Sequence, residues 1–149
     1  MASRARRPLG RLSAFWDASA LVPLYVRQGS TPQASAWDKT YDVVIWWATP
    51  VEVAGALAKL LRIKHLDAGQ WRTAVKLVTE WSETWSVIPP TASVRAKAIE
   101  LVEHYDLRAA DALQLAAALE WCDDTPSGRR FLTTDRSLRD AAVLCGFDT

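Results

Sequence analysis

Short apolar runs alternate with amphipathic stretches along most of the chain. Four runs combine β-branched, aromatic and other apolar side chains and predict buried strands over residues 12–16, 43–47, 85–88 and 130–133. The stretches between and after them carry apolar residues at helical spacing, which predicts helices over residues 20–27, 32–41, 50–61, 67–84, 92–105, 109–121 and 136–144. Strands that alternate with helices indicate an α/β fold with a mainly parallel sheet.

The residues that begin and end these helices support the predicted boundaries. Ser19 is placed to cap the first helix, and Thr49 to cap the third, with Pro50 at its first position. Gly146 is placed to end the last helix, because glycine readily adopts the left-handed conformation found there. Parallel strands end at a common edge of the sheet, where ligands of open α/β proteins usually bind. The sequence therefore predicts a functional site at that edge.

Four acidic residues lie beside apolar residues at this predicted edge. Asp17 and Asp135 follow the first and fourth strands, Glu52 comes soon after the second, and Asp111 opens a helix. Ionised carboxylates are rare at half-buried positions unless something offsets their desolvation. Mg²⁺ and Mn²⁺ are hard cations that prefer carboxylate and water oxygens. If the four acids converge, the chain is a metal-dependent hydrolase.

Each acid also has a structural interpretation. Glu52 and Asp111 can complement the positive end of a helix, as acids in a first turn commonly do. Asp135 can cap the last helix, whatever else it does. Asp17, between Trp16 and Ala18, is the acid that a purely structural role explains least well.

The composition fits one globular domain. The 149 residues suffice for a single sizeable core, and half of them are hydrophobic while 23% are charged. Four arginines and no acid precede Asp17, so we interpret residues 1–11 as a flexible basic tail and residues 12–149 as the domain. The formal net charge of +1 neither demands nor excludes nucleic acid, because binding needs only a local basic patch.

Several classes of protein are disfavoured. No apolar run approaches the ~20 residues that a membrane span needs, so no membrane association is predicted. Cys122 and Cys145 form no paired motif, which favours a reducing, cytoplasmic location with inert thiols. The two histidines lie in different helical stretches, so neither a zinc site nor a histidine-based triad is indicated. No glycine-rich phosphate-binding or dinucleotide-binding motif is present.

The four acids, in this order and at these separations, resemble the PIN domain. More narrowly, the chain looks like the toxin ribonucleases of VapBC toxin–antitoxin systems, over residues 12–146. The resemblance is carried by the motifs Asp17-x-Ser19-Ala20-Leu21, Glu52, Leu107-Arg108-Ala109-x-Asp111-Ala112-x-x-Leu115-Ala116 and Thr133-x-Asp135-x-x-Leu138. It implies an RNase H-like three-layer α/β/α sandwich with a central sheet of four to five strands. If a fifth strand is present, we expect it to be vestigial.

The resemblance also implies a function. It makes the chain an endoribonuclease dependent on Mg²⁺ or Mn²⁺, in which Asp17, Glu52, Asp111 and Asp135 are the metal-binding and catalytic acids. Ser19 and Thr133 match hydroxyl residues that support such a pocket. It further implies a homodimer and a cognate antitoxin protein. Basic residues close in sequence to the acids are candidates for guiding RNA, namely Arg108, Arg136 and Arg139.

Two alternatives differ in class from this enzyme. A PIN-like fold can lose catalysis and serve as a protein-binding or RNA-binding scaffold, although degenerate members usually lack one or more acids and all four are present here. A phosphotransfer enzyme also places Asp at strand ends. A phosphatase of the haloacid dehalogenase type would have Asp-x-Asp after the first strand, where Ser19 occupies the second position.

Overall fold

The computed structural model describes residues 10–149 and contains a four-stranded parallel sheet. The strands are β1 (Leu12–Trp16), β2 (Tyr41–Trp46), β3 (Ser86–Ile88) and β4 (Phe131–Leu132). Their spatial order is β3-β2-β1-β4, so β1 lies inside the sheet, and its Phe15 is in register with Val44 on one side and Phe131 on the other. The predicted parallel α/β arrangement is confirmed.

Helices occupy nearly all the predicted stretches. They are α1 (Ala18–Leu21), α2 (Thr31–Thr40), α3 (Thr49–Arg62), α4 (Ala68–Ser82), α5 (Ala92–His104), α6 (Ala109–Trp121) and α7 (Arg136–Leu144). Most predicted ends agree within two residues.

The first helical region differs most from its prediction. It is a short α1 followed by a single 3₁₀ turn, Val22–Leu24, which contains Pro23. Asp17, rather than Ser19, caps this helix, because the Asp17 carboxylate accepts a hydrogen bond from the Ser19 N–H. Thr49 is likewise the first residue of α3 and not its cap, and its hydroxyl points to a different partner, described below.

Two apolar layers cover the sheet, one on each face. Phe15 and Val44 pack against α5, α6 and α7, whereas Trp16 and Ile45 pack against α1, α3 and α4. The aromatic residues Phe15 and Trp16 are fully buried. Truncating such a side chain to Ala costs about 3–5 kcal/mol in other proteins, so β1 is the centre of the fold. This arrangement confirms the predicted three-layer α/β/α sandwich.

The C-terminus adds the remnant of a fifth strand. Gly146 takes a φ of 103° after α7 and turns the chain back towards β4. Beside β4, the Phe131 N–H donates to the Asp148 carbonyl at 2.9 Å, and the Asp148 N–H donates to the Arg129 carbonyl at 2.9 Å. These bonds form a single parallel bridge, which matches the vestigial strand expected from the resemblance.

The predicted basic tail lies, up to residue 9, outside the described residues. Arg11, its last residue, contacts the domain: its Nη2 donates to the carbonyls of Asp38 and Tyr41, and its Nε lies 3.7 Å from the Asp42 carboxylate. Within residues 10–149, no helix is both long and apolar enough to cross a bilayer.

Candidate active site

All four predicted acids line one pocket at the carboxyl edge of the sheet. Asp17, Glu52, Asp111 and Asp135 surround a cavity of about 350 Å³. Its remaining walls are small, apolar or uncharged, and come from Ala18, Ser19, Val22, Gln28, Ala56 and Thr134. Among residues 10–149, no Lys, Arg, His or Cys belongs to this lining. The edge predicted from strand order thus brings together acids that are up to 118 positions apart in the sequence.

Asp17 is the most deeply buried of the four acids. It follows β1 directly, and only 4% of its surface is exposed. Its Oδ2 accepts hydrogen bonds from the Ser19 hydroxyl at 2.6 Å and from the Thr133 hydroxyl at 2.9 Å. Burial raises the pKa of Asp17, and these hydroxyl donors oppose the rise because they stabilise the charged form. The two hydroxyls therefore hold the carboxylate in one orientation.

Thr133 links two of the acids through a single side chain. It is 1% exposed and directly follows β4. Its hydroxyl donates to Asp17 and accepts a hydrogen bond from the Asp135 N–H at 3.0 Å. Asp135 in turn caps α7, where its Oδ1 accepts from the Leu138 N–H at 2.8 Å. The structural role predicted for Asp135 is therefore real, and it coexists with a place in the pocket.

Glu52 lies in the first turn of α3 and is half-buried. Its Oε1 accepts a hydrogen bond from Nε2 of Gln114, a buried residue of α6, at 2.9 Å. Burial raises the pKa of Glu52 to about 7, and repulsion from Asp17 and then from Asp111 adds to the rise. The Gln114 amide opposes this shift by donating to the ionised form.

Asp111 lies in the first turn of α6 and is also half-buried. Burial raises its pKa, and the charges of Asp135 and Asp17 raise it further, while the positive charge of Arg108 lowers it. Repulsion among the acids thus outweighs the help from the neighbouring cation. The pocket therefore concentrates negative charge, and none of its described lining residues carries a positive charge.

The donor set suits a hard divalent cation. Four carboxylates, with no His or Cys among the described lining residues, favour Mg²⁺ or Mn²⁺. A cation would relieve the repulsion that adds to the effect of burial on the pKa values of Glu52 and Asp111. Among residues 10–149, no three Asp, Glu, His or Cys side chains come close enough to form a ready-made ligand cage. Mg²⁺ does not require one, because it usually keeps several waters and binds through one or two carboxylates.

The three candidate RNA-guiding arginines have different surroundings. Arg108 is exposed and lines a second cavity of about 600 Å³, whose wall also includes Asp111 and Asp135. Arg136 is exposed at the start of α7. Arg139 is half-buried, and its Nη2 donates to the Thr133 carbonyl at 3.2 Å. Arg139 therefore supports the loop that carries Thr133.

Sequence reasoning missed some residues of the site. Gln28 and Thr134 line the pocket, and the Thr134 N–H donates to the Ser19 hydroxyl at 2.9 Å. Gln114 and Thr49 hydrogen-bond to each other beneath Glu52. The one signal in the sequence was an isolated Gln within an Ala- and Leu-rich helix, three residues after Asp111.

Comparisons with known proteins agree with this architecture. The model of the PIN domain family matches residues 14–144. Two ribonucleases of Mycobacterium tuberculosis, VapC45 from strain CDC 1551 and VapC49 from strain H37Rv, are each 33% identical over 136 residues. Each match spans 89% of this chain and 90% of the relative.

Solved structures show the same fold. VapC20 of Mycobacterium tuberculosis, described as a toxin that cleaves the sarcin–ricin loop, superimposes with a TM-score of 0.62 at 19% identity, over 87% of this chain and 95% of that one. PAE2754 of Pyrobaculum aerophilum superimposes with a TM-score of 0.56 at 23% identity, over 87% and 79% respectively. At these identities, the likeness concerns the fold alone.

Proposed function

The chain belongs to the PIN domain family and is an endoribonuclease of the VapC toxin type, and on that premise we propose that the acidic pocket is its catalytic centre. The observation that carries the proposal is the convergence of Asp17, Glu52, Asp111 and Asp135 on one cavity. Each of these acids has a structural explanation when taken alone. Helix capping and first-turn charge do not explain why four acids surround one cavity whose lining, as far as residues 10–149 are concerned, has no basic side chain.

The acids divide into two roles. Asp17 and Asp111 would hold the principal Mg²⁺ or Mn²⁺, because two hydroxyls fix Asp17 and burial raises the pKa of both acids. The charges of Asp135 and Asp17 raise the pKa of Asp111 further. Asp135 and Glu52 complete the metal pocket, and Glu52 would also orient the attacking water through Oε2, the carboxylate oxygen that Gln114 leaves free. The bound cation would neutralise charge that develops on the phosphodiester and make a water molecule more acidic.

RNA reaches this negative pocket past basic side chains. Arg108 lines the second cavity together with Asp111 and Asp135, and Arg136, which follows Asp135 in the sequence, is exposed. A phosphate backbone that leaves the acid pocket through this cavity would pass close to these two arginine side chains. Their positive charge attracts the strand and offsets its repulsion by the acids. We place the reaction in the cytoplasm, where RNA is available and the free thiols of Cys122 and Cys145 stay reduced.

A cognate antitoxin is the second expected partner. The lining of the acid pocket includes Val22, in the 3₁₀ turn after α1, and Ala56 of α3, and we propose that a groove runs between these two elements. An antitoxin segment lying along this groove would place a basic side chain against the four carboxylates and exclude RNA. A DNA-binding protein encoded next to this gene is the expected source of that segment.

A homodimer is the third expected assembly, and an exposed apolar groove supports it. Between α5 and α6, a cavity of about 190 Å³ is lined by Arg95 and otherwise by apolar side chains, among them Ile99 and Val102. Ile99 is 53% exposed and Val102 is 40% exposed. A second copy of the chain that covers this groove would bury both side chains.

Ile99→Asp should therefore shift the protein towards monomer in light scattering. Ile63→Asp is the control and should leave the oligomeric state unchanged, because Ile63, which directly follows α3, is equally exposed but lies outside the groove.

Cleavage of RNA by purified protein is the direct test. Wild-type protein should cut ribosomal or transfer RNA with Mg²⁺ or Mn²⁺ and stop when EDTA is added. Asp17→Asn should lower the rate about 100-fold or more, since losing a metal-binding carboxylate removes several kcal/mol of transition-state stabilisation. The matched control is Glu83→Gln, which changes an exposed acid outside the pocket.

Two outcomes would contradict the proposal. One is a folded Asp17→Asn variant that cleaves RNA as fast as wild type in the same preparation. The other is wild-type cleavage that persists unchanged in EDTA. Induced expression in a bacterial host gives an independent measure: wild type should arrest growth, Asp17→Asn should not, and co-expression of the neighbouring reading frame should restore growth.

A further inference from the structure

A buried glutamine lies directly behind the acid pocket. Gln114 is completely buried in α6, and its neighbours in the helix, Ala112, Leu115 and Ala116, are buried apolar residues. An amide in such surroundings is unfavourable unless its donors and acceptor are paired. An apolar residue would fill this position at lower cost, so the contacts of Gln114 need an explanation.

The contacts of Gln114 reach across to α3. Its Nε2 donates to Glu52 Oε1 at 2.9 Å and to the Thr49 hydroxyl at 3.1 Å. An ionised carboxylate only accepts hydrogen bonds, so the amide must turn its nitrogen towards Glu52. Both N–H groups of the amide are thereby used. In the part of the chain that the structure describes, Gln114 is the one side chain that donates to the Glu52 carboxylate.

Pairing with Thr49 does not by itself account for this residue. Two buried polar groups that satisfy only each other can be replaced by apolar groups with little change in stability. The contact that such a replacement would lose is the one with Glu52. Gln114 also lies three residues after Asp111, which places both side chains on the same face of α6. One rigid helix therefore carries one pocket acid and holds another.

We infer that Gln114 is a positioning residue for the ribonuclease reaction, which it serves by holding Glu52 of α3 at a set place relative to Asp111 of α6. This inference rests on the proposed function of the acid pocket. A glutamate side chain has several rotatable bonds, and a hydrogen bond at Oε1 removes most of that freedom while leaving Oε2 available to the pocket. Partners that orient metal-binding or catalytic side chains typically change metal affinity or activity by about 10–100-fold when removed.

The test replaces the amide without emptying the site. Gln114→Met keeps a similar volume but cannot donate to Glu52. Leu115→Met is the matched control, since it makes a volume-conserving change at the next buried position of α6. Gln114→Met should lower kcat about 10–100-fold with KM changed less than about threefold, because the residue orients a reacting group and does not contact RNA. Leu115→Met should leave kcat within about threefold of wild type.

Two further measurements do not depend on cleavage. Mn²⁺ binding, followed by electron paramagnetic resonance, should weaken about tenfold in Gln114→Met and stay unchanged in Leu115→Met. In proton–nitrogen correlation spectra, the side-chain amide of Gln114 should shift strongly in Glu52→Ala, since this substitution removes its carboxylate acceptor. If Gln114→Met fails to fold, Gln114→Asn serves in its place, because it keeps a buried amide but draws it back from Glu52 by one methylene.

The outcomes separate the two proposals. If wild type cleaves RNA but the Gln114 variants match Leu115→Met in kcat and in Mn²⁺ affinity, the positioning role is refuted and the ribonuclease proposal stands. If wild type shows no metal-dependent cleavage, the ribonuclease proposal fails. In that case, Mn²⁺ affinity and the amide resonance still decide whether Gln114 organises Glu52.

Discussion

Removing the charge of Glu52 should stabilise the metal-free protein at alkaline pH. Glu52 is half-buried near Asp17 and Asp111, and its pKa is raised to about 7 from the 4.5 of a free glutamate. Between these two values the folded protein binds a proton that the unfolded chain has released. The free energy of unfolding therefore falls as pH rises from about 4.5 to about 7, and the whole penalty is present above that range.

The size of this effect follows from the shift. A rise from 4.5 to about 7 corresponds to at most about 3.4 kcal/mol, and partial exposure and screening reduce the expected value to about 1–2 kcal/mol. Glu52→Gln keeps the shape of the side chain and an oxygen that can accept from Gln114. The variant should therefore gain about 1–2 kcal/mol at pH 8, or about 2–8 °C in Tm for a domain of this size. At pH 4.5 it should match wild type.

Urea denaturation in EDTA at pH 4.5 and at pH 8, at constant ionic strength, measures this difference. Glu83→Gln removes an exposed acid outside the pocket and should change neither value. A Glu52→Gln variant that is less stable than wild type at pH 8, or a gain of equal size at both pH values, would refute the reasoning. Saturating Mg²⁺ should shrink the gain, because a bound cation relieves the same repulsion in wild type.

The other predictions concern neighbouring parts of the site. Thr133→Val should lower the free energy of unfolding by about 1–3 kcal/mol in urea denaturation, because it leaves the Asp135 N–H without its acceptor and Asp17 without one of its two hydroxyl donors; an unchanged midpoint would contradict the role of this hydroxyl. Arg108→Ala should raise KM for RNA severalfold and flatten its salt dependence, with little change in folding stability; an unchanged KM would exclude Arg108 from the RNA path. Mg²⁺ at about 100 times its dissociation constant should stabilise wild type by about 2.7 kcal/mol, and it should stabilise Asp17→Asn much less, as read from Tm.

Most of the fold could be predicted because its signals are local. The helices α6 and α7 lie where the apolar spacing of their sequences predicts them. The N-terminal end of α5 is also set locally, since Thr91 caps it by accepting a hydrogen bond from the Val94 N–H. The beginning of α1 was harder to predict. An acid after a strand and a Ser two residues later can each cap a short helix, and the choice of Asp17 depends on its burial between β1 and β4.

The residues of the candidate site were also only partly predictable from the sequence. The four acids were identifiable from their places at strand ends and helix starts. The support around them was only partly visible: Ser19 and Thr133 were expected from the resemblance, while Gln114 and Thr49 were missed. Thr49 stood out in the sequence as a helix cap, but its hydroxyl instead pairs with a residue 65 positions away.

The sequence by itself determined the order of strands and helices and the sheet edge at which the acids gather. It could do so because periodicity, capping and strand ends are properties of neighbouring residues. Tertiary structure alone decided that Thr133 holds Asp17 across 116 positions and that Gln114 holds Glu52 across 62. These contacts depend on β1 lying beside β4 and on the rotation of α6 against α3, and no short stretch of sequence encodes either.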